Sequence, residues 1–182
     1  MDSHPFRLIK PRSWEDGQLR KSLSVAVAAL FAALYALITI AETAMGGPLT
    51  FSFIQVRISD ALLPLSMVFG IPSAVGLCLG TVVANSYYML GPLDIAFGSL
   101  ANLIAGILSA KFSRGNPLLA ALYPVVVVTA IVGSYLQLFF ADVPLWLIYG
   151  GIFVGEMVAC VALGVPLIKA IQRALGRKKV DY

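Results

Sequence analysis

Glu156 sits eleven residues into the last long apolar run of the chain, Leu145 to Ile171. On a helix that is about 16 Å from the start of the run, near the middle of a bilayer. A carboxylate there costs at least about 2–3 kcal/mol, so it marks a ligand or proton site unless a neighbouring hydroxyl or its own protonation makes it structural glue. Tyr149 and Phe153, seven and three residues earlier, share its helix face and form an expected aromatic wall. A carboxylate beside aromatic rings suits a planar ligand rich in hydrogen-bond donors. Asp94, Gly98 and Asn102 follow at i, i+4, i+8, with the glycine leaving room between the polar groups. Asp94 has a second reading as a helix cap after Gly91-Pro92. Thr81, Asn85 and Tyr88 share one face of another run, as ligand contacts or as polar glue between helices.

Gln55, Arg57 and Asp60 bracket the start of a short run, where Arg57 and Asp60 either pair on the helix or help to close a loop over a ligand. Glu42, Asp60, Asp94 and Asp142 all fall at run ends facing the same side, so the polar inventory is acidic and weighted to one face. Trp146, Tyr135 and Gln137 lie near that interface, and Trp146 reads either as a belt anchor or as a pocket residue. Enzyme chemistry has no such support. His4, in a polar tail, is the chain's one histidine, so no Ser/His/Asp set exists, and no Walker A motif is present. Cys78 and Cys160 fall inside apolar runs and are expected reduced and buried. No metal or cofactor is expected, nor a nucleic-acid partner, because the basic residues form no face.

The elements that must position these residues are membrane helices. The chain has 182 residues, 59% hydrophobic and 12% charged, against about 25% charged in a soluble domain. A spanning helix needs about 20 apolar residues. The runs are Ser22–Ala44, Ile58–Phe69 with Pro64 inside, Pro72–Leu90, Leu93–Phe112, Pro117–Phe140 and Leu145–Ile171. The first is longer than the roughly 7–15 residues of a cleavable signal segment. Basic residues stand before the first run (Arg7, Lys10, Arg12, Arg20, Lys21), after the fourth (Lys111, Arg114) and after the last (Lys169, Arg173, Arg177, Lys178, Lys179). If all three groups are cytoplasmic, an even number of crossings separates each pair, so the short second run must also cross, tilted or kinked at Pro64. The expected fold is all-α, with six transmembrane helices and both termini cytoplasmic. Residues 1–20 form an interfacial tail carrying Phe6, Leu8, Ile9 and Trp14, 21–172 the membrane domain, and 173–182 a basic tail.

In the first run Ala28, Ala32 and Ala36 recur every fourth residue, with Ala29 and Ala33 in a parallel row. Such rows let helices approach closely, either for internal packing or for docking another membrane subunit.

A chain of this size with six helices, an alanine row and no ATPase resembles the substrate-binding S component of energy-coupling factor (ECF) transporters. Within that group, the stretch from Phe53 through Gln55, Arg57, Ser59 and Asp60 to Leu62 is similar to the Q-x-R-x-S-[ED]-A-L stretch of the QueT family. Leu93 to Leu103, with Asp94, Phe97, Gly98, Ser99 and Asn102, resembles its D-x-x-F-G-S-L-A-T-L stretch, with Asn102 in place of Thr. The resemblance implies an S-component-like bundle in a prokaryotic cell membrane. It would capture a queuosine precursor, a deazaguanine base such as pre-queuosine or queuine, at its external face. Two ATPases and a transmembrane coupling subunit would energise it, docking on Ala28, Ala32 and Ala36. Glu156 or Asp94 would face the donors of the base edge, with Asn85 and Asn102 reading the remaining groups. An S component for another vitamin-like heterocycle, a stand-alone proton-linked carrier using Glu156, and a membrane assembly factor are the competing readings.

Overall fold

The computed structural model describes residues 13–46, 56–88 and 90–176, so Gln55 and the tail residues Phe6, Leu8 and Ile9 lie outside the described residues. Among the described residues the chain forms six helices and no strand. They are α1 (Ser13–Gly46), α2 (Ile58–Phe69), α3 (Ile71–Tyr88), α4 (Asp94–Phe112), α5 (Pro117–Leu136) and α6 (Leu145–Ala174). α1 begins nine residues before the expected start of its apolar run at Ser22, and its spanning part is Leu19–Met45. α5 ends at Leu136 rather than Phe140, where Leu138 N–H to Tyr135 O and Phe139 N–H to Leu136 O tighten the chain into turns.

Six spans were expected, and four described helices are long and apolar enough to cross a membrane: Leu19–Met45, Asp94–Phe112, Pro117–Leu136 and Leu145–Ala174. α3 is diluted by Thr81, Asn85 and Ser86 on its later turns. α2 is a different kind of element. Ile58–Leu65 winds as a 3₁₀ helix and only Ser66–Phe69 as α. The tighter winding stretches α2 to about 22 Å instead of about 18 Å, still short of a bilayer core of about 30 Å. Every residue from Ser59 to Ser66 is buried, and α2 touches all five other helices. A helix that is apolar and buried all round is a core element, so α2 is the central post of the bundle.

Proline and small residues set the packing around that post. Pro124 has no N–H to give the carbonyl a turn behind it, and that carbonyl, of Ala120, accepts from Ser109 of α4 at 2.7 Å. In α2, wound as a 3₁₀ helix around Pro64, the Asp60 carbonyl accepts from Cys160 of α6. α1 and α3 pack backbone to backbone. A Cβ at Gly76 would run into the Ala28 carbonyl, and one at Gly80 would stand 2.6 Å from Ala32 O and 2.8 Å from Tyr35 Cβ. Small residues on both helices allow this approach. The row Ala28, Ala32, Ala36 therefore faces α3, and Ala36 is only 8% exposed. The parallel row, Ala29 and Ala33, is the exposed one.

Substituting Gly76 by Ala should separate α1 from α3 and cost about 1–3 kcal/mol. Gly150, which has open space around it, serves as the control, and its change to Ala should be close to neutral. Thermal unfolding of the detergent-solubilised chain measures both. Equal melting temperatures for the two variants would mean the seam is not tight.

Candidate binding site

The end of α1, the starts of α2 and α4, and the ends of α3 and α5 meet at one end of the bundle. Glu42 near the end of α1 accepts the Ile58 N–H at the start of α2, at 2.6 Å. Asn85 near the end of α3 donates to the Asp94 carbonyl at the start of α4, at 3.0 Å. Tyr135 at the end of α5 donates to Asp94 Oδ1 at 2.7 Å. Arg20, Lys21, Lys111, Arg114, Lys169 and Arg173 lie at the opposite helix ends by chain direction.

Inside this end lies a connected polar cluster. Tyr35 on α1 donates to Asp60 Oδ1 at 2.6 Å and accepts from Asn102 Nδ2 of α4 at 2.9 Å. The same Asn102 amide donates to Thr81 Oγ1 of α3 at 2.7 Å. One turn further along α1, Thr39 donates to Ser59 at 2.8 Å. The Arg57 guanidinium, 6% exposed, lies within electrostatic reach of Asp60, Asp94, Tyr35 and Tyr135. Glu156 projects from α6 toward Asp60, and Cys160 Sγ lies 3.2 Å from Glu156 Oε2 and 3.3 Å from the Asp60 carbonyl. Asp94 starts a π-helical turn, Asp94–Gly98, and Glu156 immediately precedes another, Met157–Gly164. Such turns widen a helix locally and recur where side chains are re-aimed into a site. A Cβ at Gly98 would stand 2.8 Å from Asn85 Nδ2 and 3.4 Å from the Tyr135 hydroxyl, so the glycine keeps that space clear.

The structure thus brings together Arg57, Asp60, Asn85, Asp94, Asn102 and Glu156. Asp94 is no helix cap: its carboxylate receives Tyr135 instead of a backbone N–H. Glu42 holds the start of α2 beside the cluster. Other expectations are corrected. Trp146 is 74% exposed, a belt position and no part of the cluster. Phe153 is 47% exposed, and Ile152 and Cys160 flank Glu156 on the buried face, so the expected aromatic wall is absent there. Tyr149 stands about 10 Å up the α6 axis from Glu156 and packs over Gly133 of α5. Tyr88 is partly exposed at the end of α3. The aromatic residues of the cluster are Tyr35 and Tyr135, the latter with ring centroids 6.0 Å from Phe97 and 6.4 Å from Phe139. Tyr35 was missed. Its signal was there: Tyr35, Thr39 and Glu42 fall at i, i+4, i+7, one polar face on an aliphatic helix.

Two buried atoms stand out chemically. Asn85 Oδ1 and Asp94 Oδ2 have no hydrogen-bond partner, although both side chains are fully buried. Unsatisfied buried acceptors cost about 1–3 kcal/mol each, more for a charged one, and each of these two has room for a donor. Three carboxyl groups, Asp60, Asp94 and Glu156, surround one guanidinium, which also favours a donor-bearing or cationic guest.

Changing Tyr35 to Phe should lower stability by about 1–3 kcal/mol, because it strands Asp60 Oδ1 and an Asn102 N–H together. Combining it with Asn102→Ala should cost less than the sum of the two single changes, since they share a bond. Denaturant or thermal melts of the three variants decide it, and strict additivity would break the proposed link.

A family model described as the QueT transporter matches residues 25–173, most of the chain and all of the cluster. No curated protein and no solved structure matches. The match covers both sequence stretches that carry the resemblance, from Phe53 to Leu62 and from Leu93 to Leu103, and the helices they open are the ones that supply Arg57, Asp60, Asp94 and Asn102. This chain belongs to the QueT transporter family, and its work is membrane transport, not catalysis.

Proposed function

We propose that the chain is the substrate-binding S component of an ECF importer and captures a queuosine precursor, a 7-deazaguanine base, at its external face. The observation that carries this reading is the pair of buried acceptors without partners, Asn85 Oδ1 and Asp94 Oδ2. The guanine-like edge of such a base presents adjacent N–H donors, and a site built for donors rejects a ligand that lacks them by leaving its acceptors unpaired. The ring stacks on aromatic side chains of the Tyr135 cluster with Phe97 and Phe139. Both termini face the cytoplasm, because the basic residues lie at the helix ends opposite the site. The site then opens outward, where a captured solute arrives.

The energising module, a coupling subunit with two ATPases, docks on α1. The structure turns Ala28, Ala32 and Ala36 toward α3, so the contact surface is the outward row of Ala29 and Ala33. Ala28 contributes at the margin, in a shallow apolar groove with Ser24, Val25, Ile71, Pro72 and Val75.

Equilibrium binding of deazaguanine bases to the purified chain, beside riboflavin, biotin, thiamine and tryptophan, tests the reading. Submicromolar binding of a deazaguanine is expected, and Asp94→Ala should weaken it by at least about 1–3 kcal/mol. Tight binding of a different vitamin would keep the S component and discard this substrate. Absence of binding together with a proton flux lost in Glu156→Gln would favour a stand-alone carrier. For docking, Ala33→Trp should abolish uptake in cells while leaving ligand binding of the purified chain intact. Normal uptake by that variant removes the outward row from the interface.

A further inference from the structure

Asp60 and Glu156 approach each other from different helices at the inner end of the cluster. Cys160 Sγ bridges them, 3.2 Å from Glu156 Oε2 and 3.3 Å from the Asp60 main-chain carbonyl. A thiol is a weak donor and satisfies a carboxylate poorly. From the elements packed against this pair come Tyr35 of α1, bonded to Asp60 Oδ1, and Arg57, which also serves Asp94 and Tyr135. One guanidinium is therefore shared among three carboxyl groups. A second, separate sign of a guest is the unpartnered pair Asn85 Oδ1 and Asp94 Oδ2. Asn85 lies one turn along α3 from Thr81, and Asp94 two turns along α4 from Asn102, while Thr81, Asn102, Tyr35 and Asp60 are joined by hydrogen bonds. The acceptors form two sets along the bundle axis: a neutral-plus-charged set near the mouth and a doubly acidic set beneath it.

We propose that Asp60 and Glu156 form a seat for a primary ammonium group on the captured base, and that this pair, not Asn85 and Asp94, sets the preference for a cationic over a neutral ligand with the same ring. An ammonium has three donors and full charge, which fits two carboxyl groups brought together from different helices. The mouth pair reads the ring edge, common to both ligands. The inference rests on the deazaguanine reading given under Proposed function.

The test compares a 7-deazaguanine carrying an aminomethyl arm with one carrying an uncharged nitrile arm. Both are titrated calorimetrically into the full chain in detergent. The chain should favour the aminomethyl base by at least about tenfold. Glu156→Gln and Asp60→Asn should each lose at least about tenfold more affinity for the aminomethyl base than for the nitrile base. Asparagine at position 60 keeps an oxygen for the Tyr35 hydroxyl, and a retained melting temperature certifies each variant. Asp94→Asn should weaken both bases alike. Equal affinity of the unaltered chain for the two bases overturns the ammonium seat, a comparison that needs no variant. So does a preference that survives in both carboxylate variants. In either case a bound nitrile base leaves the deazaguanine reading standing, whereas failure of both bases to bind overturns that reading and this one together.

Discussion

The Tyr35 hydroxyl ties three helices at one point: from α1 it donates to Asp60 on α2 and accepts from Asn102 on α4. Each partner is buried in a bundle that is mostly aliphatic, where a lone carboxylate or amide is costly. The hydroxyl serves both, as donor to one and acceptor from the other. Asn102 passes the link on to Thr81 of α3, so the chain of bonds runs through four of the six helices. Buried networks of this kind are worth keeping only when nearly every member is satisfied. This one is satisfied at its centre and open at its mouth, where Asn85 and Asp94 keep an acceptor each without a partner. Two of the unsatisfied acceptors thus lie together at one end of the bundle.

The central post explains why the network can exist at all. A lipid-facing helix would carry Asp60 against hydrocarbon, but α2 is enclosed by the other five helices. The Asp60 carbonyl accepts from Cys160, whose thiol also lies against Glu156, so α6 meets α2 at this point. Gly164, close to Pro64 Cγ and Ala61 O, lets α6 come near enough. The arrangement is a trade. Backbone regularity is given up in α2, in the first turn of α4 and in the middle of α6, and the three irregular segments carry or adjoin Asp60, Asp94 and Glu156.

Much of this was legible in the sequence, and the reasons are physical. Charges in apolar runs are expensive, so Asp60, Asp94 and Glu156 announced themselves by type alone. Spacing placed Asn85 and Asn102 beside them. Boundaries at the turns held within a few residues because Pro and Gly mark them, as at Gly70-Ile71-Pro72, whereas α1 starts nine residues before Ser22, where no such mark stands. What failed was depth and direction. A shared face at i−3 and i−7 does not tell what packs against each residue: Phe153 is half exposed, and Tyr149, two turns away, packs over Gly133 instead of walling Glu156. Run length could not distinguish a short span from a buried post, which needs the neighbouring helices to be known. Tyr35 was hidden for the opposite reason: a tyrosine in an apolar run is unremarkable until its face is drawn with Thr39 and Glu42.

The alanine rows show how one helix serves two purposes. Ala28 and Ala32 let α3 settle against the α1 backbone, with Gly76 and Gly80 opposite, and Tyr35 leaves the same face with its Cβ over Gly80. The position of the Tyr35 hydroxyl is therefore fixed by a backbone-to-backbone contact, which side-chain repacking cannot absorb. A methyl group added at Gly80 would press on the residue that joins Asp60 to Asn102. Ala29 and Ala33, a step round the same helix, face outward. α1 runs unbroken from Ser13 to Gly46, so a force applied to the outward row acts on the helix that carries Tyr35, Thr39 and Glu42. The polar cluster and the outward face are in this sense two sides of one rigid element, and any partner that grips α1 also grips the site.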